Sequence, residues 1–231
     1  MIAVLSEKIS EEFEKITKIK SFGLKSFENL DFPVNTHADM LICKIENTVF
    51  CYEKYYYSNK EIFDNIESLG YKINLVSKEC NKNYPNDIAL NVLVMGKTIF
   101  CKVKNTANEL LTFAKENGYK IVDVKQGYSA CSTLVLDENH AITIDKTIEK
   151  ALKNENKEVI LISSENIRLD GYNCGFIGGS CGVYDNKFFI FGKLDRISEH
   201  EKIEKLLKKL NFEKTEILNG EVYDFGGVKF F

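Results

Sequence analysis

The sequence predicts an α/β protein built as a ring of five blades with pseudo-fivefold symmetry, and three observations carry that expectation. A strand, hairpin, strand, helix, strand unit returns about every 45 to 50 residues. Within each unit, short β-branched and aromatic runs introduced by turn residues give way to apolar residues spaced for one helical face. The chain ends on VYDFGGVKFF, a first strand without its helix, and begins with IAVLSEKISEEFEKITKIKSFGL, a strand and helix without their first strand. Joined, the two ends make a fifth unit and close the ring, which leaves no long unpaired strand edge. A lone unit cannot bury its apolar strands, whereas five packed radially share a core. The expected organisation is therefore one domain, 1–231.

The units follow in order. The first, about 38–84, reads LICKIENTVFCYE then EIFDNIESLGYKINLV, with a hairpin turn at Glu46-Asn47 and Gly70 capping the helix. In the second, about 85–128, NVLVMGKTIFCKV turns at Gly96-Lys97. Its helix carries Leu110, Leu111 and Ala114 toward the core and stops at Gly118. The third, about 129–173, is TLVLDENHAITID then TIEKALKNENKEVILI, and the fourth, about 174–220, is FIGGSCGVYDNKFFIFG then HEKIEKLLKKLNFEKTEIL. The fifth joins 221–231 to 1–37. The two prolines, Pro33 and Pro85, stand just before units begin, where breaks belong.

Composition narrows the function classes. With 231 residues, 44% apolar and 28% charged, the chain has globular proportions. A formal charge of -3, with basic residues interleaved with Glu in runs such as EKIEKLLKK, argues against nucleic acid. No 18-residue apolar run occurs and Glu7, Glu11 and Glu12 occupy the N-terminus, so neither a membrane span nor a secretory signal is expected. Seven cysteines, an odd number set mostly in strand patterns, point to reduced thiols and a cytoplasmic location. No phosphate-loop or dinucleotide spacing and no zinc-closing cluster is present, so neither cofactor nor metal is expected.

In such a ring the start of each first strand points into a central channel. The texts at those places are THADM, PNDIALN, GYSACS, GFIGGSCG and VYDFGG, which hold a His, cysteines and carboxylates. Equivalence under the repeat brings them together, the first requirement of an active site. A small-molecule substrate in the channel is the expected partner.

The order HADMLICKIENTVF, PNDIALNVLVMGKTIF, GYSACSTLVL resembles consecutive blades of the dimethylarginine dimethylaminohydrolases and, more distantly, the arginine and agmatine deiminases. These guanidino-modifying enzymes have the pentein fold, a five-bladed β/α-propeller. Two of the family's blades precede its His, whereas FIGGSCG and YDFGG here follow Cys131, so the resemblance implies a circular permutation. It also implies Cys131 as nucleophile, His37 as general acid/base and Asp224 as the acid orienting the imidazole, with Asp39 touching the substrate amidine. A guanidinium carbon is a poor electrophile, so attack needs a thiolate, stabilised by a nearby cation such as His37 or the substrate itself. The imidazole protonates the leaving amine and activates the water that hydrolyses a thiouronium intermediate. The implied activity is a cysteine-dependent hydrolase or transferase acting on a C–N bond of an amidine-like or guanidine-like molecule.

The resemblance fails at one place. Where the family supplies a carboxylate pair for the guanidinium, this chain has Gly178, Gly179, Ser180 and Cys181. Asp39, Asp87 and the neighbouring Asn86 could compensate, and the backbone donors around Gly179 and Ser180 suit an anionic group. Alternatives stay open. Cys131 can equally be a small buried hydrophobe, as Cys51 and Cys101 are expected to be, and Cys181 is the rival nucleophile. Asn86 and Asp87 can simply hold a turn after Pro85. The alternative function is a non-catalytic binding pentein, like the translation initiation factor of this fold that binds the large ribosomal subunit.

Overall fold

The computed structural model describes residues 1–231. The chain begins with β1 (Ala3–Ser6), α1 (Ser10–Thr17) and β2 (Ser21–Leu24). A helical turn, α2 (Ala38–Leu41), leads into β3 (Ile42–Ile45), β4 (Thr48–Tyr52), α3 (Glu53–Ser58), α4 (Lys60–Ser68) and β5 (Lys72–Val76). The succession recurs as β6 (Leu93–Met95), β7 (Thr98–Cys101), α5 (Asn108–Glu116) and β8 (Lys120–Asp123). It recurs again as β9 (Thr133–Val135), β10 (His140–Thr143), α6 (Lys146–Asn154) and β11 (Glu158–Leu161). After β12 (Ile167–Arg168) come β13 (Cys181–Tyr184), β14 (Lys187–Ile190), α7 (His200–Lys209) and β15 (Glu213–Glu216), then β16 (Val222–Tyr223) and β17 (Lys229–Phe230).

Five three-stranded sheets share one order: an antiparallel first strand, a central strand, and a parallel third strand reached across a helix. The chain termini build the fifth, β17-β1-β2, in which Ala3 faces Phe230 antiparallel and Ser21 parallel. None of the sheets closes into a barrel. Hairpins at Glu46-Asn47 and Gly96-Lys97 have two-residue loops, which need positive φ to match strand twist, and Glu46 (φ 53) and Gly96 (φ 57) supply it. Gly70 (φ 90) and Gly118 (φ 73) end their helices left-handed, as the sequence predicts. No helix is long and apolar enough to cross a membrane.

VYDFGGVKFF does not form the single strand expected of it. It splits into β16, which pairs in parallel with β12, and β17, which pairs with β1. The break has a local cause: Gly226 (φ 80) and Gly227 (φ 70) are both left-handed, and the Gly226 amide donates to Asp224 Oδ1 at 3.0 Å. The channel-facing texts likewise do not begin as strands. Turns occupy 38–41, 129–132 and 177–180, immediately before β3, β9 and β13.

The seam between the ends is held by backbone and aromatic packing together. The Ile2 amide donates to Phe231 O at 2.7 Å, and the Phe231 amide returns to Ile2 O at 2.9 Å. Phe13, fully buried, lies with its ring 5.3 Å from Phe189 and 6.2 Å from Phe230, so α1 is packed on both the terminal sheet and β14. Deleting residues 222–231 is expected to abolish cooperative thermal unfolding followed by circular dichroism. Phe13→Ala should cost about 3–5 kcal/mol in urea unfolding, because a large cavity opens at this seam. A cooperatively melting truncation would refute the role assigned to the seam.

Candidate active site

The turn preceding each inner strand places side chains from different sheets around one point. Two residues before β3, β6 and β9 stand Met40, Asn91 and Cys131. Asn91 Nδ2 donates to Cys131 Sγ at 2.8 Å and to the Asp39 carbonyl at 3.0 Å, while its Oδ1 accepts from the Ala130 amide at 2.8 Å. Met40 Sδ lies 3.8 Å from the thiol. The Ser129 hydroxyl donates to Asn91 O and Phe100 O, each at 2.9 Å, and so fixes the Cys131 turn against its neighbour. Cys131 is 4% exposed.

His37 follows the 3₁₀ turn Val34–Thr36 and is buried, with Nδ1 at 3.6 Å from Asp224 Oδ1. Asp224 is held rigidly, since its Oδ2 accepts from the Phe176 amide at 2.8 Å and its Oδ1 from Gly226. Asp87, also buried, accepts the Tyr128 hydroxyl on Oδ2 at 2.6 Å and leaves Oδ1 unpartnered. Cys131, His37, Asp224 and Asp87 line one cavity of about 330 Å³, together with Met40 and Tyr128.

Burial sets the electrostatics. It pushes His37 down to about 3, reinforced by the Lys8 charge, so the imidazole is neutral. It pushes the Cys131 thiol well up, and the Asp39 and Asp224 carboxylates push it further while the Asn91 bond opposes. Asp224 is raised by burial and then by Asp39. Asp39 is raised by burial, and neither of its carboxylate oxygens makes a well-formed hydrogen bond, although the Cys131 thiol is its neighbour. The expected imidazolium beside the thiol is thus replaced by a neutral imidazole.

The model described as Family of unknown function (DUF6873) matches residues 3–229. The chain belongs to that family. No curated protein matches it. Solved structures do. A mutant DDAH from Pseudomonas aeruginosa complexed with citrulline superimposes with a TM-score of 0.54 at 11% identity, covering 90% of this chain and 80% of that one. SxtG, an amidinotransferase of Microseira wollei from the saxitoxin biosynthetic pathway, gives 0.55 at 12% identity over 95% and 77%. The C. jejuni agmatine deiminase gives 0.54 at 13% identity over 90% and 71%. At this identity the likeness shows the fold alone, the α/β pentein fold that these solved structures share.

Other expected site residues are placed elsewhere. Asp39 and Cys181 line a second cavity of about 300 Å³, with Lys44 and Lys229. Cys181 opens β13, is buried, and has its thiol raised by burial; it lines this second cavity and not the one that holds His37. Ser180 is fully buried and donates to the Phe176 carbonyl at 2.7 Å, and Gly179 packs against Asp224; neither lines the Cys131 cavity. Asn86 is exposed in the turn after Pro85 and does not line the Cys131 cavity. The asparagine that does reach the thiol is Asn91, five residues on in the same PNDIALN text. Its signal was the register, since it occupies the position in its unit that Cys131 occupies in the next.

Two expectations test this geometry. A Cβ at Gly179 would lie 2.0 Å from Asp224 Oδ1, so Gly179→Ala should displace the carboxylate and destabilise the fold by about 1–3 kcal/mol, read by urea unfolding. Because the folded value of His37 lies below its unfolded value, the unfolded chain binds a proton first as pH falls. The contribution is complete above about 6.5 and is lost as pH falls toward about 3. The stability difference between wild type and His37→Gln should shrink across that window, and the His37 ring protons should not titrate between about pH 8 and 5 by NMR.

Proposed function

We propose that this chain is a cysteine-dependent hydrolase or transferase acting on a C–N bond of an amidine-like or guanidine-like small molecule. The observation that carries the proposal is the meeting of Cys131, His37 and Asp224, from three separate parts of the sequence, around one cavity. We read the five sheets as blades about a pseudo-fivefold axis, with the two cavities at opposite ends of its channel. The relatives in fold include a citrulline complex and amidinotransferases, which supports the reaction class.

The raised thiol and neutral imidazole define how such a site starts. An amidinium entering the cavity brings the cation that the site lacks and lowers the Cys131 pKa. His37, neutral, takes the thiol proton as Sγ bonds to the amidine carbon. The imidazolium then gives that proton to the leaving nitrogen as its C–N bond breaks. Water adds to the thiouronium-type carbon while His37 accepts its proton, and the proton returns to sulfur as the S–C bond breaks. Asp224 orients the imidazole and stabilises its charged form, Asn91 donates to the thiolate, and Asp87 offers its open oxygen to a substrate N–H. Asp39 meets the reacting atoms only through the thiol. Near-complete burial and the raised thiol of Cys131 favour, as the second reading, a binding protein without turnover.

Alkylation separates the two. If a cation must activate the thiol, the cationic reagent 2-chloroacetamidine should modify Cys131 at neutral pH about tenfold or more faster than neutral chloroacetamide, as a pKa shift of about one unit would give. Peptide mapping should find the adduct on Cys131, and His37→Ala and Asp224→Asn should slow it. Modification only in denaturant supports the binding protein; an adduct on Cys181 removes the proposed site.

A further inference from the structure

We infer that the Cys131 cavity is selective for an amidinium or guanidinium bearing an aromatic or apolar substituent and no carboxylate. The inference rests on the reading of this cavity as the substrate site and narrows the substrate class.

Three features of the wall point there. Tyr84, Tyr128 and Phe176 form a continuous aromatic row along the cavity, with ring centroids 5.5 Å and 5.9 Å apart and both pairs tilted by 40°. Leu30, Val34 and Leu169 continue the apolar lining. Such a wall gains by covering flat or apolar surface, and the Tyr128 and Phe176 rings attract a cation, while one face of Tyr84 already lies under Lys102 Nζ at 4.8 Å. The second feature is Asp87, whose buried Oδ1 has no partner while Oδ2 is fixed by Tyr128. That leaves one open acceptor, which an amidinium N–H satisfies.

The third feature concerns positive charge. A substrate carboxylate would need a cation, and the only one lining the cavity is Lys82, half-exposed and paired with Asp31 at 3.1 Å. Both arginines of the chain lie outside it, Arg168 bound to Glu221 at 2.7 Å and Arg196 beside Asp195 at 3.8 Å. An amino-acid head group would therefore bury its carboxylate against apolar walls and Asp87, which is costly. At about 330 Å³ the cavity is at the small end for organic ligands, which suits a single ring with its amidine.

Benzamidine is the probe and L-arginine its counterpart, compared by protection of Cys131 from alkylation and by calorimetry on the full chain. Benzamidine should bind about tenfold or more tightly than L-arginine, with agmatine between them. Asp87→Asn should weaken benzamidine about tenfold, and Tyr84→Ala, a change at the exposed rim, a few-fold. L-arginine binding as tightly as benzamidine, or benzamidine binding unchanged in both variants, overturns the inference. The calorimetric order does not depend on the thiol. If Cys131 resists alkylation yet benzamidine is still preferred and Asp87-dependent, catalysis fails and the selectivity stands; if the thiol reacts yet L-arginine is preferred, only the selectivity fails.

Discussion

Two backbone amides hold the Asp224 carboxylate nearly buried at the wall of the Cys131 cavity, and the site is organised around that fixed point. Phe176 donates from the approach to β13, and Gly226 from the terminal segment leading to β17. His37, near the start of the first internal unit, comes to 3.6 Å of the same carboxylate. Three distant stretches of chain thus converge on one carboxyl group. The terminal stretch is held on both sides of that carboxylate, by β16 on β12 and the Asp224 amide on Arg168 O at 2.8 Å before it, and by the pairing of Ile2 with Phe231 after it. Closing the fifth sheet therefore supports one side of the site, and the β12–β16 ladder the other.

The electrostatic state of the ligand-free cluster follows from the burial. A thiol and three carboxyl groups lie largely out of water, and burial pushes each toward its neutral form, the Lys229 charge opposing this at Asp39. His37 is pushed the same way, to neutral imidazole. A cluster of this kind resists charging from within and accepts a positive charge from outside, since a cation entering the Cys131 cavity meets the thiol, Asp87 and Asp224 together. Preference for a cationic ligand then draws on these acids together, with the open oxygen of Asp87 as the direct acceptor. An uncharged ligand gains no such attraction.

Much of the fold was legible because it is written in local rules. Repeated hairpins with two-residue turns, glycines that end helices left-handed, and apolar faces at helical spacing each fix a local geometry, and the repeat multiplies them. The site was less legible where local conformation changed. Taken as the start of a strand, His37-Ala38-Asp39 would set both polar side chains on one face. The segment instead enters the helical turn α2, where each step rotates by about 100°, so residues two apart face opposite ways. His37 accordingly lines one cavity and Asp39 the other. Asn91, and not Asn86 of the same text, reaches the thiol because the turn before β6 sets which asparagine points across.

The absence of acids from the Gly178–Gly182 stretch also has a physical account that the sequence conceals. A Cβ at Gly178 would lie 2.2 Å from Ala130 O and 2.7 Å from Cys131 O, and the Gly178 amide donates to Cys131 O at 2.8 Å. Gly179 is pressed against the Asp224 carboxylate and accepts the Phe225 and Gly227 amides through its carbonyl, at 3.0 and 2.8 Å. This turn is therefore the spacer between the thiol turn and the orienting acid, and only residues without a Cβ let both approach. A carboxylate pair at 178 and 179 would force Cys131 and Asp224 apart. Any recognition of a substrate cation has to come from another unit, and Asp87, one unit before Cys131 with an oxygen left open, is the group in the cavity free to do it.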